Sequence, residues 1–437
     1  MPMDVTITVE RSYLHRVRER VYSLAGKGMM SLASQGITSA NNFATGILMG
    51  RLCPKEEYGL YALGLSLLLL VNDFQLTLIS TPYGVYSPRL QPAERRWYAG
   101  STFVHQMVFS AAAAFLLLCG LIAVYVGVAP QKFGRVIEVL AAVVVFILLK
   151  DFIRQTCFAA MNVRGALLLD GATALIQVGC LSLLAYRGAL SAERTFLVAG
   201  TACGLASAGW LLSNRRLFTI EMKRVLPDLR QKWPLVKWIL ASQILWISAM
   251  SLYPWFIAAF LGVRANALWA ACQSAIVAGN LISVAAQNLL GPKLVHVLAR
   301  EGVAEMRGTV LRSTRLLLVI MSLLSLLFAL FGNSLVTLMY GKAYEGHGVV
   351  VAILAINLAV SALTFPFSRG LFALERADLD FRINVAVVLS LLPGIWLVRT
   401  FGLPGAALGL LAANSVSVIL RGFAFNRLAS DRGAAAA

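Results

Sequence analysis

The chain has 437 residues, of which 59% are hydrophobic and only 13% charged, and its mean hydropathy is +0.76. A soluble domain carries roughly twice that charge, about 25%, so water is not the main solvent of this protein. The net charge of +18 lies between apolar runs and not in one patch interleaved with aromatics, which argues against nucleic acid and for membrane topology.

The first 23 residues are polar and basic and lack an apolar core, so no cleavable signal peptide is expected. Here Leu14, Val17, Val21 and Leu24 recur at helical spacing opposite Arg11, Arg16, Arg18 and Arg20. That pattern suits either a helix on an anionic surface or a solvated tail. Beyond it, apolar runs of about 20 residues recur, each able to cross roughly 30 Å of hydrocarbon at 1.5 Å per residue. They predict about twelve spans, at 24–50, 58–82, 100–127, 134–161, 166–186, 195–217, 234–261, 267–291, 311–332, 347–373, 381–399 and 404–426. In lipid these must be helices, because an open sheet edge would leave backbone amides unpaired.

Basic residues fix the orientation, since Lys and Arg in short loops resist translocation. Alternate connections collect Arg89, Arg95 and Arg96; Arg164; Arg215, Arg216, Lys223, Arg224, Arg230 and Lys232; Lys293, Arg300, Arg307 and Arg312; and Arg376 and Arg382. The opposite side has only Arg51 and Lys55, Lys132 and Arg135, Arg187 and Arg194, Arg264, Lys342 and Arg399. The first side is expected to be cytoplasmic, with both termini inside a bacterial inner membrane.

The sequence also resembles itself. SLASQ ends at Gln35 in the first span and ILASQ at Gln243 in the seventh, and Pro88-Arg89-Leu90 answers Pro292-Lys293-Leu294. This repeat predicts an all-α polytopic membrane protein with two six-helix lobes around a central cavity. The expected organisation is a basic segment 1–23, an N-lobe 24–218, a cytoplasmic linker 219–233, a C-lobe 234–427 and a cytoplasmic tail 428–437.

Six cysteines stand singly without C-x-x-C spacing, and four histidines are far apart, so neither a disulfide framework nor a metal site is indicated. Polar residues inside the spans carry the functional signal, because each must face protein, water or ligand. On the first span Ser31, Gln35, Thr38, Asn42 and Thr45 follow helical spacing. On the eighth, Gln273, Asn280 and Gln287 are seven apart, with Ser283 nearby. Such stripes either glue helices together or line a shared cavity, where amides and hydroxyls suit sugar recognition.

The fourth span holds Lys150, Asp151, Arg154 and Gln155, about 15 to 21 Å in from Arg164 at 1.5 Å per residue. Asp151 and Arg154 are spaced to pair at i, i+3. Asp73 and Asp170 read as lone carboxylates, able to bind a coupling proton or sodium ion or to take a structural partner. Pro366, beside Ser361, Thr364 and Arg369, is expected to interrupt the tenth span, as a hinge or as a static kink. Lys27, Arg369, Arg51 and Arg264 lie near span ends, where snorkelling explains them. Asp378 and Asp380 form D-x-D in a short connection and read as ordinary loop charges.

The stretch SLASQGITSANNFATGILMGRLCPKEEYGLYALGLSLLL, Ser31 to Leu69, resembles the start of bacterial polysaccharide flippases of the multidrug/oligosaccharidyl-lipid/polysaccharide exporter superfamily. The matching features are the polar first helix, Arg51-Leu52, Pro54, Glu56-Glu57 and the Tyr58-Gly59 step. The resemblance covers about 60 residues, to Pro88, and the chain ends after span twelve, short of the two further helices of the peptidoglycan-precursor branch. It implies a non-enzymatic exporter that flips undecaprenyl-diphosphate-linked oligosaccharide between leaflets by alternating access, with no cofactor beyond a coupling ion. On that reading Lys150 and Arg154 would hold the diphosphate, with Arg369 a further basic candidate. Gln35, Asn42, Gln273, Asn280 and Gln287 would contact sugar, and Asp73 or Asp170 would take H+ or Na+. Membrane lipids, a polysaccharide polymerase and export proteins are the expected partners. The rivals are a cation-coupled drug antiporter of the same fold, a membrane glycosyltransferase, polymerase or ligase, and a non-transporting membrane subunit.

Overall fold

A computed structural model describes residues 29–30, 33–87, 90–127, 131–374 and 376–436, and among them it is helical nearly throughout, with no strand. The basic segment 1–23, Lys27, Ser31 and the side chains of Gln243 and Gln287 lie outside the described residues.

The first helix, α1, covers 33–52. Pro54 then sets the start of α2 (Lys55–Gln75), whose Glu56 and Glu57 face the positive end of the helix dipole. The same rod continues as a π-helical turn, Leu76–Ser80, and α3 (Thr81–Tyr86). Pro92 at the first turn and a reciprocal Gln91–Glu94 capping box start α4 (Pro92–Cys119), which α5 (Leu121–Tyr125) extends. Next come α6 (Phe133–Ala159), α7 (Val163–Tyr186), capped by Asn162, and α8 (Ala192–Asn214), capped by Ser191.

The second lobe repeats the pattern with longer rods. Its elements are α9 (Met222–Leu261), α10 (Val263–Ala275), α11 (Val277–Tyr340), α12 (Gly348–Ala373), α13 (Ala377–Ser390) and α14 (Leu392–Ala436). Gly302, at φ 84°, breaks α11 into two crossings, and Gly402, at φ 62°, breaks α14 between the crossing that α13 begins and the next. Both sit in the left-handed region that a side chain disfavours, so a single glycine makes each turn. Among the described residues, seven stretches are long and apolar enough to span a bilayer by length and composition alone, and two of these, His296–Tyr340 and Asp378–Asp431, exceed one crossing. The chain is thus a multi-pass membrane protein of about twelve helices in two lobes around a central cavity.

Two expectations fail here. Helix α12 runs unbroken through Pro366, so the span is not interrupted there, because one missing amide is tolerated where neighbouring helices hold the rod. Asp380 is not a loop charge. It lies in the first turn of α13, 7% exposed, paired to Arg421 of α14 at 2.8 Å.

Close helix packing rests on small residues. A Cβ at Gly200 of α8 would lie 2.2 Å from the Val143 Cβ of α6, whereas Gly179 of α7 has open space. Gly200→Val is expected to cost about 1–3 kcal/mol and to lower the melting temperature of the purified protein. Gly179→Ala, measured alongside, leaves it unchanged or raised.

Candidate functional site

Helix α1 carries two polar rows, not one. Ser34, Asn41 and Thr45 are buried against the N-lobe, while Gln35, Asn42 and Gly46, each one residue on, face the space between the lobes together with Ser39. One residue is about 100° of turn, so adjacent residues serve two environments. On the buried row the Ser34 hydroxyl donates to Asp170, Asn41 Nδ2 donates to Gln177 Oε1 at 3.1 Å, and Gln177 Nε2 donates to Thr45 Oγ1 at 3.0 Å. Thr38 and Thr45 return their protons to carbonyls one turn back. The expected single stripe is therefore corrected: Thr45 belongs to the α1–α7 contact.

The outer row opens on a cavity of about 670 Å³, within the usual range of roughly 300–1,000 Å³ for small-molecule sites. Gln35 and Asn42 from the N-lobe face Gln273, Asn280 and Asn357 from the C-lobe, so the polar faces of spans one and eight share one space. Phe43, Tyr58, Tyr61, Trp269 and Tyr340 supply aromatic surface, and Ser39, Ser66, Ser274 and Ser361 supply hydroxyls. No charged side chain lines it among the described residues. Ser283, beside that stripe, is 4% exposed and outside the lining.

The charges of the fourth span lie behind this wall. Asp170 of α7, with a fully buried side chain, takes Lys150 Nζ at 2.7 Å on one oxygen and Arg154 Nε at 2.8 Å on the other. Asp151 adds a second carboxylate 3.5 Å from Lys150. Two cations thus meet two anions and the cluster is neutral. Arg154 extends past Asp170 to donate to Gln35 Oε1 at 3.0 Å, touching the cavity only through that amide.

Three readings are corrected. Lys150 and Arg154 are not free cations in the cavity, Asp170 is not a lone carboxylate, and Arg154 takes Asp170 in place of Asp151. The physical reason is shared, because a charge buried in hydrocarbon persists only with a partner. Asp73 of α2 is half-buried, one turn beyond the cavity-lining Leu69, with no ionic partner among the described residues. Arg369 of α12 is half-buried, two turns from the cavity-lining Ser361, and likewise forms no ion pair among the described residues.

The C-lobe holds a cluster that the sequence reading missed. Arg421, 5% exposed, donates to Asp380 at 2.8 Å, to Asn384 Oδ1 at 2.6 Å and to the Ser417 hydroxyl, and Ser368 also donates to Asp380 at 3.2 Å. Asp170 and Asp380 occupy the fifth helix of their respective lobes. The signal lay in Asp380 and Asn384, spaced i, i+4 on one face of α13.

One end of the cavity is closed. Tyr58 stacks on Tyr340 with ring centroids 5.6 Å apart, and Tyr344 packs on Tyr340 at 5.4 Å. Arg264 pairs with Glu56 across the lobes at 2.5 Å, and Asn266 Nδ2 donates to Gly59 O at 3.2 Å. A Cβ at Gly59 would lie 2.1 Å from the Val263 carbonyl oxygen, so backbone meets backbone there. Arg264 is thus part of the seam and not merely a snorkelling charge. This end lies opposite the Lys- and Arg-rich connections.

Asp170→Asn would leave Lys150 and Arg154 without their shared carboxylate. Breaking a buried pair costs about 3–5 kcal/mol, so thermal unfolding in detergent is expected to shift clearly downward. Adding Lys150→Met to Asp170→Asn is expected to recover part of the loss, since it removes one stranded charge. A pair that tolerates Asp170→Asn without loss is not structural.

No family model and no curated protein matches the sequence. Solved structures do match. A multidrug resistance MATE family transporter of the MOP superfamily, in its inward-facing conformation, superposes with a TM-score of 0.73 at 14% identity, covering 93% of this chain and all of that one. The lipid II flippase MurJ, in an inward closed conformation, gives 0.67 at 13% identity over 91% of this chain and 87% of its own. A MOP superfamily transporter from Pyrococcus furiosus, described by the reverse polarity of its binding pocket, gives 0.62 at 14% identity over 92% and 94%. With its two lobes and central cavity, the chain has the fold of the transporters of the multidrug/oligosaccharidyl-lipid/polysaccharide exporter superfamily.

Proposed function

We propose that the chain flips a polyprenyl-diphosphate-linked oligosaccharide from the cytoplasmic to the periplasmic leaflet of a bacterial inner membrane. Transporters of this fold include both a multidrug transporter and a lipid II flippase, so the cavity must decide between cargo classes. The observation that carries the reading is its lining: amides, hydroxyls and aromatic rings with no carboxylate and no other charge among the described residues. Sugars match that chemistry, because their hydroxyls both donate and accept while their C–H faces stack on aromatic rings. A lipophilic cation would meet no counter-charge there, which disfavours the drug-antiporter alternative.

On this reading the Lys- and Arg-rich connections face the cytoplasm, following the positive-inside rule. The tyrosine end then faces the periplasm and is closed, and the glycan enters from the cytoplasmic leaflet. The polyprenyl tail stays in lipid. With Lys150 and Arg154 neutralised, Arg369 near the basic end of α12 is the cation offered to the diphosphate. Asp73 is the remaining carboxylate for a coupling proton or sodium ion. Cargo release follows rocking of the lobes, which must part the Tyr58–Tyr340 and Glu56–Arg264 contacts. A polysaccharide polymerase and export proteins would act on the flipped unit.

The test is reconstitution of the purified protein alone into liposomes holding a fluorescent polyprenyl-diphosphate oligosaccharide, with leaflet exposure read by an added lectin. Protein-dependent exchange of the glycan without ion-driven efflux of ethidium is the expected outcome. Ethidium efflux without glycan exchange would reverse the assignment.

A further inference from the structure

The cavity wall fixes which way one of its amides points and pairs a second with a buried amide. Gln35 Oε1 accepts from Arg154 Nη2 at 3.0 Å. A guanidinium carries only donors, so the Gln35 amide must turn its oxygen to Arg154. Its NH2 group is left for the cavity, which Gln35 lines. Arg154 is itself held by the 2.8 Å contact to buried Asp170, so the aim of Gln35 is set by a rigid cluster and not by a mobile surface group. Across the cavity, Asn357 of α12 accepts on Oδ1 from Nδ2 of the buried Asn414 at 2.8 Å, which leaves its NH2 toward the same space.

The serines complete the pattern from the other side. Ser66 and Ser361 each donate their single proton to a carbonyl of their own helix, at 2.7 and 2.9 Å, and Ser66 also accepts from Trp255 Nε1 at 2.9 Å. These two can offer the cavity only lone pairs, while the Ser274 hydroxyl is shared between the Ala271 carbonyl at 2.8 Å and the Tyr340 hydroxyl at 2.6 Å.

We propose that Gln35 and Asn357 are the paired donors that recognise the glycan, one from each lobe. They would contact acceptor oxygens on it, namely sugar hydroxyl, N-acyl carbonyl or uronate carboxylate. Arg154 and Asn414 are positioning residues that aim these donors without touching the ligand. A glycan held by both donors ties the lobes together while it is bound, and rocking that separates α1 from α12 weakens its grip. This inference rests on the flippase reading and adds its recognition chemistry.

The experiment uses variants that separate holding from donating. Gln35→Glu and Asn357→Asp each keep the acceptor that Arg154 or Asn414 needs but replace the NH2 by a second oxygen. Flipping of the fluorescent polyprenyl-diphosphate oligosaccharide is measured for wild type and each variant in the liposome assay. Each is expected to raise the half-saturating substrate concentration about tenfold or more, because a lost donor leaves a buried ligand oxygen unpaired, at unchanged melting temperature. Arg154→Met is expected to raise it too, and Arg154→Lys, which still donates, to restore it. If Gln35→Glu and Asn357→Asp both flip glycan as wild type does, the amides serve only to hold their neighbours and the inference is overturned. If one variant fails to fold, the other decides. A wild-type protein that flips no glycan overturns the flippase reading and this inference together, whereas active wild type with indifferent variants overturns this inference alone.

Discussion

Four charges on two helices govern the chemistry of the whole cavity. Lys150 and Arg154 of α6 would each be costly in hydrocarbon, about 2.5–3.5 kcal/mol on insertion scales, and Asp170 of α7 meets both at hydrogen-bond distance. Because the cluster neutralises itself behind the wall, the space between the lobes is lined without charge among the described residues. Its selectivity then comes from amides, hydroxyls and rings. What the buried ions export to the cavity is orientation, through the single bond from Arg154 to Gln35.

The second lobe meets the same constraint with different parts. Arg421 of α14 is buried against Asp380 and Asn384 of α13 and Ser417 of its own helix. In both lobes the fifth helix supplies the carboxylate, although the cation comes from the fourth helix in one and the sixth in the other. Each lobe thus has an internally compensated polar core that locks its helices together. The cavity forms between two bodies whose buried ion pairs are each satisfied within one lobe, and the Glu56–Arg264 pair that joins them is exposed. That independence is what relative motion of the lobes requires.

Much of this architecture was legible in the sequence. Apolar runs bounded by Gly and Pro marked the helices, and Lys and Arg alternated between connections as positive-inside loops do. The amides Gln35, Asn42, Gln273 and Asn280 were found because an uncharged polar group in an apolar run must turn away from lipid, toward protein, water or ligand. What periodicity could not supply was the partner of each charge. Asp170 lies sixteen residues from Arg154, on another helix, and only tertiary packing brings them together. The same limit hid the division of α1 into two rows, since Asn41 and Asn42 are chemically identical and differ only in which neighbour they meet. Asn357 and Arg421 were legible only as members of short polar rows, Asn357 with Ser361 and Thr364 and Arg421 with Asn414 and Ser417, whose partners lie on other helices.

At the closed end, the tightest approach of the lobes involves no side chain on one of its two partners. Gly59 rests directly on the Val263 carbonyl, where a single methyl group would not fit. Around it stand an exposed ion pair, buried stacked rings and a buried amide contact. The depth of closure is therefore fixed by an atom that is missing, while most of its strength is apolar ring surface kept from water. A seal built this way has a sharply defined shut position, and parting it means wetting the tyrosines.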